Sequence, residues 1–270
     1  MTNIRFIRKH FKPTQPGVGV KDEHVIYREF EPASPLQNYI HCYWELKSKQ
    51  RLAAPFSYRV VSDGCIDLFF NLNDTTESFI MGFCDKYTAF SIGTEFAYGG
   101  IRFYPSIFPA LFGTTAKTFV NGEQWLKDHF PFLAEFIRTT FTTDFLAAIP
   151  KIDQFFSVQI QDHKPQMDDR FFSAFLEILR RKGHLEIEKE LNTGVSPRQL
   201  RRLFAHYIGT SPKSFCQVVR FQYILNTLLF PAGQPDDKAF YDVGFFDQAH
   251  FIKNFTRFYG VTPSKVFALR

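Results

Sequence analysis

Ser196-Pro197-Arg198-Gln199-Leu200-Arg201-Arg202-Leu203-Phe204, followed by Gly209-Thr210-Ser211-Pro212, reads as one capped helix and the start of another. Ser196 is placed to accept hydrogen bonds from the free amides of a first turn. Pro197 at the first helical position and Gln199 at the third complete a capping box. Leu200 and Phe204, four residues apart, dock one face on a core, while Arg198, Arg201 and Arg202 carry charge with no acid on the helix to Tyr207. Gly209 stands where a helix ends in a left-handed residue, and Ser211-Pro212 begins the next one.

The pattern recurs at an offset of 51 residues. Ser196 matches Asp247, Leu200 matches Phe251, Arg202 matches Lys253 and Phe204 matches Phe255. Gly209, Ser211 and Pro212 match Gly260, Thr262 and Pro263. Before each capped helix stands a short helix and a glycine turn: Leu185 to Leu191 with Asn192-Thr193-Gly194, and Asp237 to Asp242 with Gly244. Short helix, tight turn and capped second helix make a helix-turn-helix, and two copies with matched caps are far more specific than one. The segment from Pro212 to about Phe230 predicts a joining helix roughly 28 Å long. One turn of B-DNA is about 34 Å, so such a rod suits two recognition helices in successive major grooves.

Upstream the texture changes. Val25 to Phe103 is strand-like: Phe56, Tyr58 and Val60 alternate with polar or small residues, and Ser62-Asp63-Gly64 reads as a turn. Cys65 to Leu72, Ser78 to Phe83 and Ala97 to Phe103 predict further strands, with Gly82, Gly93, Gly99 and Gly100 marking turns or bulges. From Ser106 to about Phe156 the apolar residues recur at helical steps, through Trp125-Leu126, Leu133 and Phe136-Ile137. Phe171-Phe172, Phe175-Leu176 and Ile178-Leu179 predict an amphipathic helix beyond a polar break. The expected fold is α+β: a β-rich, barrel-like N-terminal domain with flanking helices over 1–160, then an all-α domain over 166–270. The latter holds two helix-turn-helix units, about 184–208 and 236–260, joined by a long helix.

Charge divides along the same line. Residues 1–165 hold 17 basic and 17 acidic side chains, and residues 166–270 hold 15 and 10, so the whole excess of +5 lies in the C-terminal part. That is a modest electrostatic footprint for nucleic acid; the placement of the arginines carries more. The 35 phenylalanines sit in apolar runs, which makes them core rather than a platform for bases. No run of apolar residues reaches membrane-spanning length, and Met1 to Lys12 lacks the apolar stretch of a secretory signal. Cys42, Cys65, Cys84 and Cys216 lack metal-ligand spacing, which points to no metal, no disulfide framework and a reducing cytoplasm.

The C-terminal residues resemble the AraC/XylS family of bacterial transcription regulators. Asp242-Val243-Gly244-Phe245-Phe246-Asp247-Gln248-Ala249-His250-Phe251 and Tyr259-Gly260-Val261-Thr262-Pro263 carry the resemblance in the second unit, and Ser196 to Phe204 with Gly209 to Pro212 in the first. Tyr43-Trp44-Glu45-Leu46, Ser62 to Leu68 and Gly100 to Pro105 resemble a regulator-associated domain of unknown function. The family resemblance implies base reading by the exposed face of each recognition helix. On this sequence those residues are Arg198, Arg201 and Arg202, then Gln248, Ala249 and Lys253. His250 on the same helix is expected to be a cap-region or phosphate contact rather than a base reader, with Ser211 and Ser264 as phosphate anchors. Arginine bonds O6 and N7 of guanine together, and two of the three arginines are expected to reach bases, the third phosphate. Lys253, a point charge where relatives often carry arginine, makes the second helix the less selective reader.

The expected partners are double-stranded DNA, RNA polymerase, a small-molecule effector and a second copy of the chain; no membrane, cofactor or metal is expected. No nucleophile–base pair or phosphate loop is present, and catalysis is not expected. Asp63, Cys65, Asp67 and His41 are the reactive cluster near motif-like sequence. Asp67, a carboxylate in an apolar strand, faces solvent, contacts a ligand or pairs with Arg59 or Arg102, a structural ion pair being the favoured reading. Asp67, Arg59 and Arg102 are the candidates for a ligand site. The rival readings are a purely dimerising or protein-binding N-terminal domain, with Trp125 to Phe156 as the contact face, and a cysteine-based DNA alkyl-repair protein.

Overall fold

The computed structural model describes residues 4–15, 23–141, 144–191, 193–229 and 248–268. A short helix α1 (Arg5–His10) precedes β1 (Val25–Phe30), β2 (Ile40–Ser48), β3 (Ser57–Val60), β4 (Ile66–Asn71), β5 (Ser78–Met81), β6 (Thr88–Ser91) and β7 (Ala97–Phe103). Then come α2 (Ile107–Phe112), β8 (Glu123–Trp125), α3 (Leu126–His129), α4 (Pro131–Thr140) and α5 (Phe145–His163). The helical part comprises α6 (Asp169–Arg180), α7 (Ile187–Glu190), α8 (Pro197–Tyr207), α9 (Pro212–Leu229), α10 (Gln248–Tyr259) and α11 (Pro263–Ala268).

Six strands form one sheet in the order β1-β2-β7-β4-β5-β8, all neighbours antiparallel, and β3 pairs with β6 in a separate ribbon. Side chains alternate across a strand, and β4 shows the consequence. Ile66, Leu68 and Phe70 are buried in the main core with α2–α5, while Asp67 and Phe69 face the ribbon. Trp44, Leu46 and Tyr58 belong to a smaller core on that second face.

Several expectations need correction. No closed barrel forms among the described residues: the N-terminal domain is an open sheet with a two-stranded ribbon across one face. Trp125 is not helical but ends β8, because Phe79 pairs with it across the sheet edge. Gly99 and Gly100 mark neither turn nor bulge; they sit in register inside β7, between β2 and β4. A Cβ on Gly100 would lie 2.2 Å from the Trp44 ring, and one on Gly99 would lie 2.5 Å from the Phe145 ring on the opposite face. The paired glycines let one ring lie flat on each side of the sheet. The stretch from Leu126 to Phe156 packs mainly on its own sheet through Leu133, Ile137, Phe145, Ile152 and Phe156, although Phe132 stays 48% exposed.

The helical part follows the repeat. Ser196 Oγ accepts from the Gln199 amide at 3.2 Å, and Ser211 Oγ accepts from the Ser214 amide at 3.1 Å. Gly209 and Gly260 adopt φ of 90° and 91°, the left-handed values the matched helix ends require. The first short helix is confined to Ile187–Glu190. The expected second short helix at Asp237 to Asp242, Gly244 and the Asp247 cap lie outside the described residues, as does Asn192.

Candidate nucleic-acid interface

On α8, Leu200 and Phe204 are buried while Arg198, Arg201 and Arg202 are exposed together. Positions i, i+3 and i+4 share one face of a helix, so the apolar pair that seats α8 also turns the three arginines outward. Among the described residues, no acceptor within the molecule engages any of the three guanidinium groups. The arrangement presents fork-shaped donors to whatever faces α8.

α10 repeats the geometry with other chemistry. Phe251 and Phe255 are buried; Gln248, Ala249 and Lys253 are exposed. Shifted by 51 residues, Arg198, Arg201 and Arg202 become Ala249, Ile252 and Lys253. Ile252 is 37% exposed and was not among the expected contacts, although the repeat itself points to it. His250 corresponds to half-buried Gln199, and it too is half-buried rather than displayed with Ala249 and Lys253. Ser211 caps α9, while Ser264 lies exposed with its hydroxyl 3.1 Å from that of Thr262.

The two units do not stand free of the N-terminal domain. Gly209 packs against Val120 and the Ala116 carbonyl, and Gly260 packs against the Tyr87 ring. The Arg257 carbonyl accepts from the Tyr87 amide at 3.1 Å, and Arg257 Nε donates to the Asp85 carbonyl at 3.0 Å. Between them, buried Gln222 on α9 accepts from the Thr14 amide at 2.8 Å and donates to the Ser62 carbonyl at 2.8 Å. Asn226 Oδ1 accepts from the Thr14 hydroxyl at 2.7 Å.

The candidate ligand residues separate. Arg102 is buried, with Nε 3.0 Å and Nη2 2.7 Å from the two oxygens of Asp67, so the ion pair expected for Asp67 forms with Arg102. Burial still pushes the Asp67 carboxyl up, to about 6. Arg59 takes no part; it lies on the outer face of the ribbon, over the rings of Tyr87 and Tyr259. All four cysteines are free and buried, and burial pushes the thiols of Cys84 and Cys216 up to about 12. Such thiols are poor nucleophiles, which weighs against alkyl transfer. Among the described residues, no helix is long and apolar enough to cross a membrane.

A capped helix with an outward arginine face, tied by a joining helix to a second helix that repeats its buried pair, is the arrangement of a helix-turn-helix protein, and comparison with known families agrees. Residues 192–268 match a model described as a helix-turn-helix domain, and residues 28–124 match a domain of unknown function, DUF6597. The chain thus joins a helix-turn-helix domain to an N-terminal DUF6597 domain. No match was found among curated proteins.

Among solved structures, the chain is similar to ToxT from Vibrio cholerae at 12% identity, covering 91% of this chain and 97% of ToxT with a TM-score of 0.41. A structure described as unsaturated fatty acid bound wild-type ToxT, from Vibrio cholerae strain SCE256, matches at 11% identity, covering 80% and 96% with a TM-score of 0.35.

Proposed function

We propose that the chain reads a bipartite DNA site, with α8 and α10 in successive major grooves of one face of the duplex. The observation that carries this reading is the matched exposure of Arg198, Arg201 and Arg202 on α8 and of Ala249, Ile252 and Lys253 on α10. The joining helix has 18 residues, about 27 Å at the usual rise, which suits grooves about 34 Å apart. The arginine face is the selective reader of guanine; Ala249 and Ile252 offer apolar contact to thymine methyl groups, and Lys253 a charge. Ser211, Ser264 and the backbone amides near them anchor phosphates, and Gln248 and His250 support the second contact from its edge.

The N-terminal domain sets where these helices stand, because it holds α9 and the ends of α8 and α10 at once. An effector or a second copy acting on that domain changes DNA affinity through those contacts. The protein works in the cytoplasm, with RNA polymerase as its partner at promoters. Selection of bound sequences from random double-stranded DNA tests the reading. The expected product is two short half-sites one helical turn apart, the α8 half richer in guanine. Enrichment of one isolated half-site, or of nothing, overturns the two-groove model.

A further inference from the structure

The face of the sheet under the β3–β6 ribbon is laid out in rows by the strand register. Trp44, Gly100, Phe69, Phe79 and Trp125 are successive cross-strand partners. The adjacent row runs Cys42, Arg102, Asp67, Met81 and Glu123. An aromatic row therefore lies beside a charged one. The ribbon covers both without filling the space, and leaves a cavity of about 210 Å³. Rings of Trp44, Tyr58, Phe69, Phe79, Phe90 and Tyr98 wall it, and Asp67, Arg102 and Glu123 form its polar side.

The size and the charge both select an occupant. A cavity of about 150 Å³ takes benzene, so this one suits a single ring with a short substituent. Arg102 is already held in a fork by Asp67, and its guanidinium also lies 3.6 Å from Glu29 and 3.6 Å from Asp63. Glu123 adds another carboxylate at the mouth. Carboxylates outnumber the guanidinium, so a bound anion is repelled and a cation attracted. The π faces act in the same sense, since a ring quadrupole draws cations. Buried Tyr58 lines this space with a hydroxyl that has no hydrogen-bond partner among the described residues.

We infer that this cavity is a binding site for a compact aromatic ammonium, the ring held among the aromatic walls and the ammonium directed at Asp67 and Glu123. Its regulatory consequence rests on the DNA-regulator reading above. Tyr58 and Val60 of β3 line the cavity, whereas Arg59, between them, faces outward onto Tyr87 and Tyr259 at the end of α10. An occupant bears on the strand that the second helix-turn-helix unit leans against.

The test is calorimetric titration of the full-length protein with 2-phenylethylammonium, beside the matched carboxylate 3-phenylpropanoate and the neutral 2-phenylethanol. Saturable binding of the ammonium, with the carboxylate silent, is expected. Glu123→Gln, at an exposed mouth position, weakens it by about fivefold, as loss of a modest ion pair does. Val60→Phe, which fills the cavity, abolishes it while circular dichroism and melting confirm the fold. Binding of the carboxylate as tight as the ammonium, unchanged ammonium affinity in folded Val60→Phe, or no saturable binding at millimolar ammonium each overturns the assignment. DNA selection on the unliganded protein is run in parallel. A chain that selects DNA and ignores the ammonium refutes the site alone; one that binds the ammonium and selects no DNA refutes the regulator reading alone.

Discussion

Gln222, midway along the helix that joins the two helix-turn-helix units, donates its side-chain amide to the carbonyl of Ser62 at 2.8 Å, across 160 residues of sequence. The same amide group accepts from Thr14 N–H at 2.8 Å and donates to the Thr14 carbonyl at 3.3 Å. Gln222 is fully buried. A buried polar side chain is retained only when its partners are met, so this residue fastens α9 to the N-terminal domain.

Replacement of Gln222 by Ala strands a buried amide of Thr14 and the carbonyls of Thr14 and Ser62. Buried unpaired groups cost roughly 1–3 kcal/mol each before relaxation, and a net loss of about 2–4 kcal/mol is expected. Urea denaturation reads it; a change below 1 kcal/mol means water or other groups replace the amide.

Gly260→Ala meets two penalties: a left-handed φ of 91° and a Cβ placed 2.7 Å from the Tyr87 ring. The first costs about 1 kcal/mol and is local; the second belongs to the domain contact. In a Tyr87→Ala background the substitution is therefore expected to cost at least 1 kcal/mol less than in the natural chain, a coupling that a double-mutant cycle measures. Simple additivity removes Tyr87 from the seat of the second unit.

Arg202→Ala is expected to weaken binding to the selected site by about 1–3 kcal/mol and to relax preference at one base pair. Random DNA should lose far less. Equal loss on specific and random duplexes, with a shallower salt dependence, makes Arg202 a phosphate contact.

His41 supplies the pH dependence. Burial first, then the charges of Arg102, Lys12 and Arg8, hold its pKa down at about 3, below the ordinary 6.5. The unfolded chain therefore binds this proton at a higher pH than the folded one. The stability it contributes is present above pH 6.5 and is lost as pH falls toward 3. About 1 kcal/mol is expected to go between pH 6.5 and 5, discounted for the partial exposure of the ring. His41→Gln flattens that part of the melting-temperature profile, and an unchanged acid slope in the variant excludes His41 as its source.

Gly100→Ala drives a methyl group into the Trp44 ring, whose nearest atom lies 2.2 Å from that position. Overpacking typically costs 1–3 kcal/mol, and a loss of about 3 kcal/mol is expected here because the glycine is flanked by strands on both sides. Melting followed by Trp fluorescence tests it, and a variant as stable as the natural chain shows that the sheet moves aside.

Local chemistry decided the helical half. Ser196, Pro197, Gly209 and Pro212 act within one turn of where they stand, through caps and allowed φ values, so α8 and the start of α9 are readable from spacing. The outward face of Arg198, Arg201 and Arg202 follows from the same 3.6-residue period once Leu200 and Phe204 are assigned inward. The strand Ser57–Val60 was legible for the corresponding reason, the period-two alternation of Phe56, Tyr58 and Val60.

What the residues could not disclose depends on partners distant in the chain. Gly99 and Gly100 look like turn residues until Trp44 and Phe145 lie on either side of them. Asp67 has several acceptable fates in a strand, and only the strand order, which sets β7 beside β4, brings it to Arg102. The same register decides that an aromatic row and a charged row meet under the ribbon, and that Arg59 turns away from both. Capping and periodicity are interactions within a turn or a strand, written in neighbouring residues; register, domain seating and cavity shape are set by which surfaces pack, and that is a property of the folded chain alone.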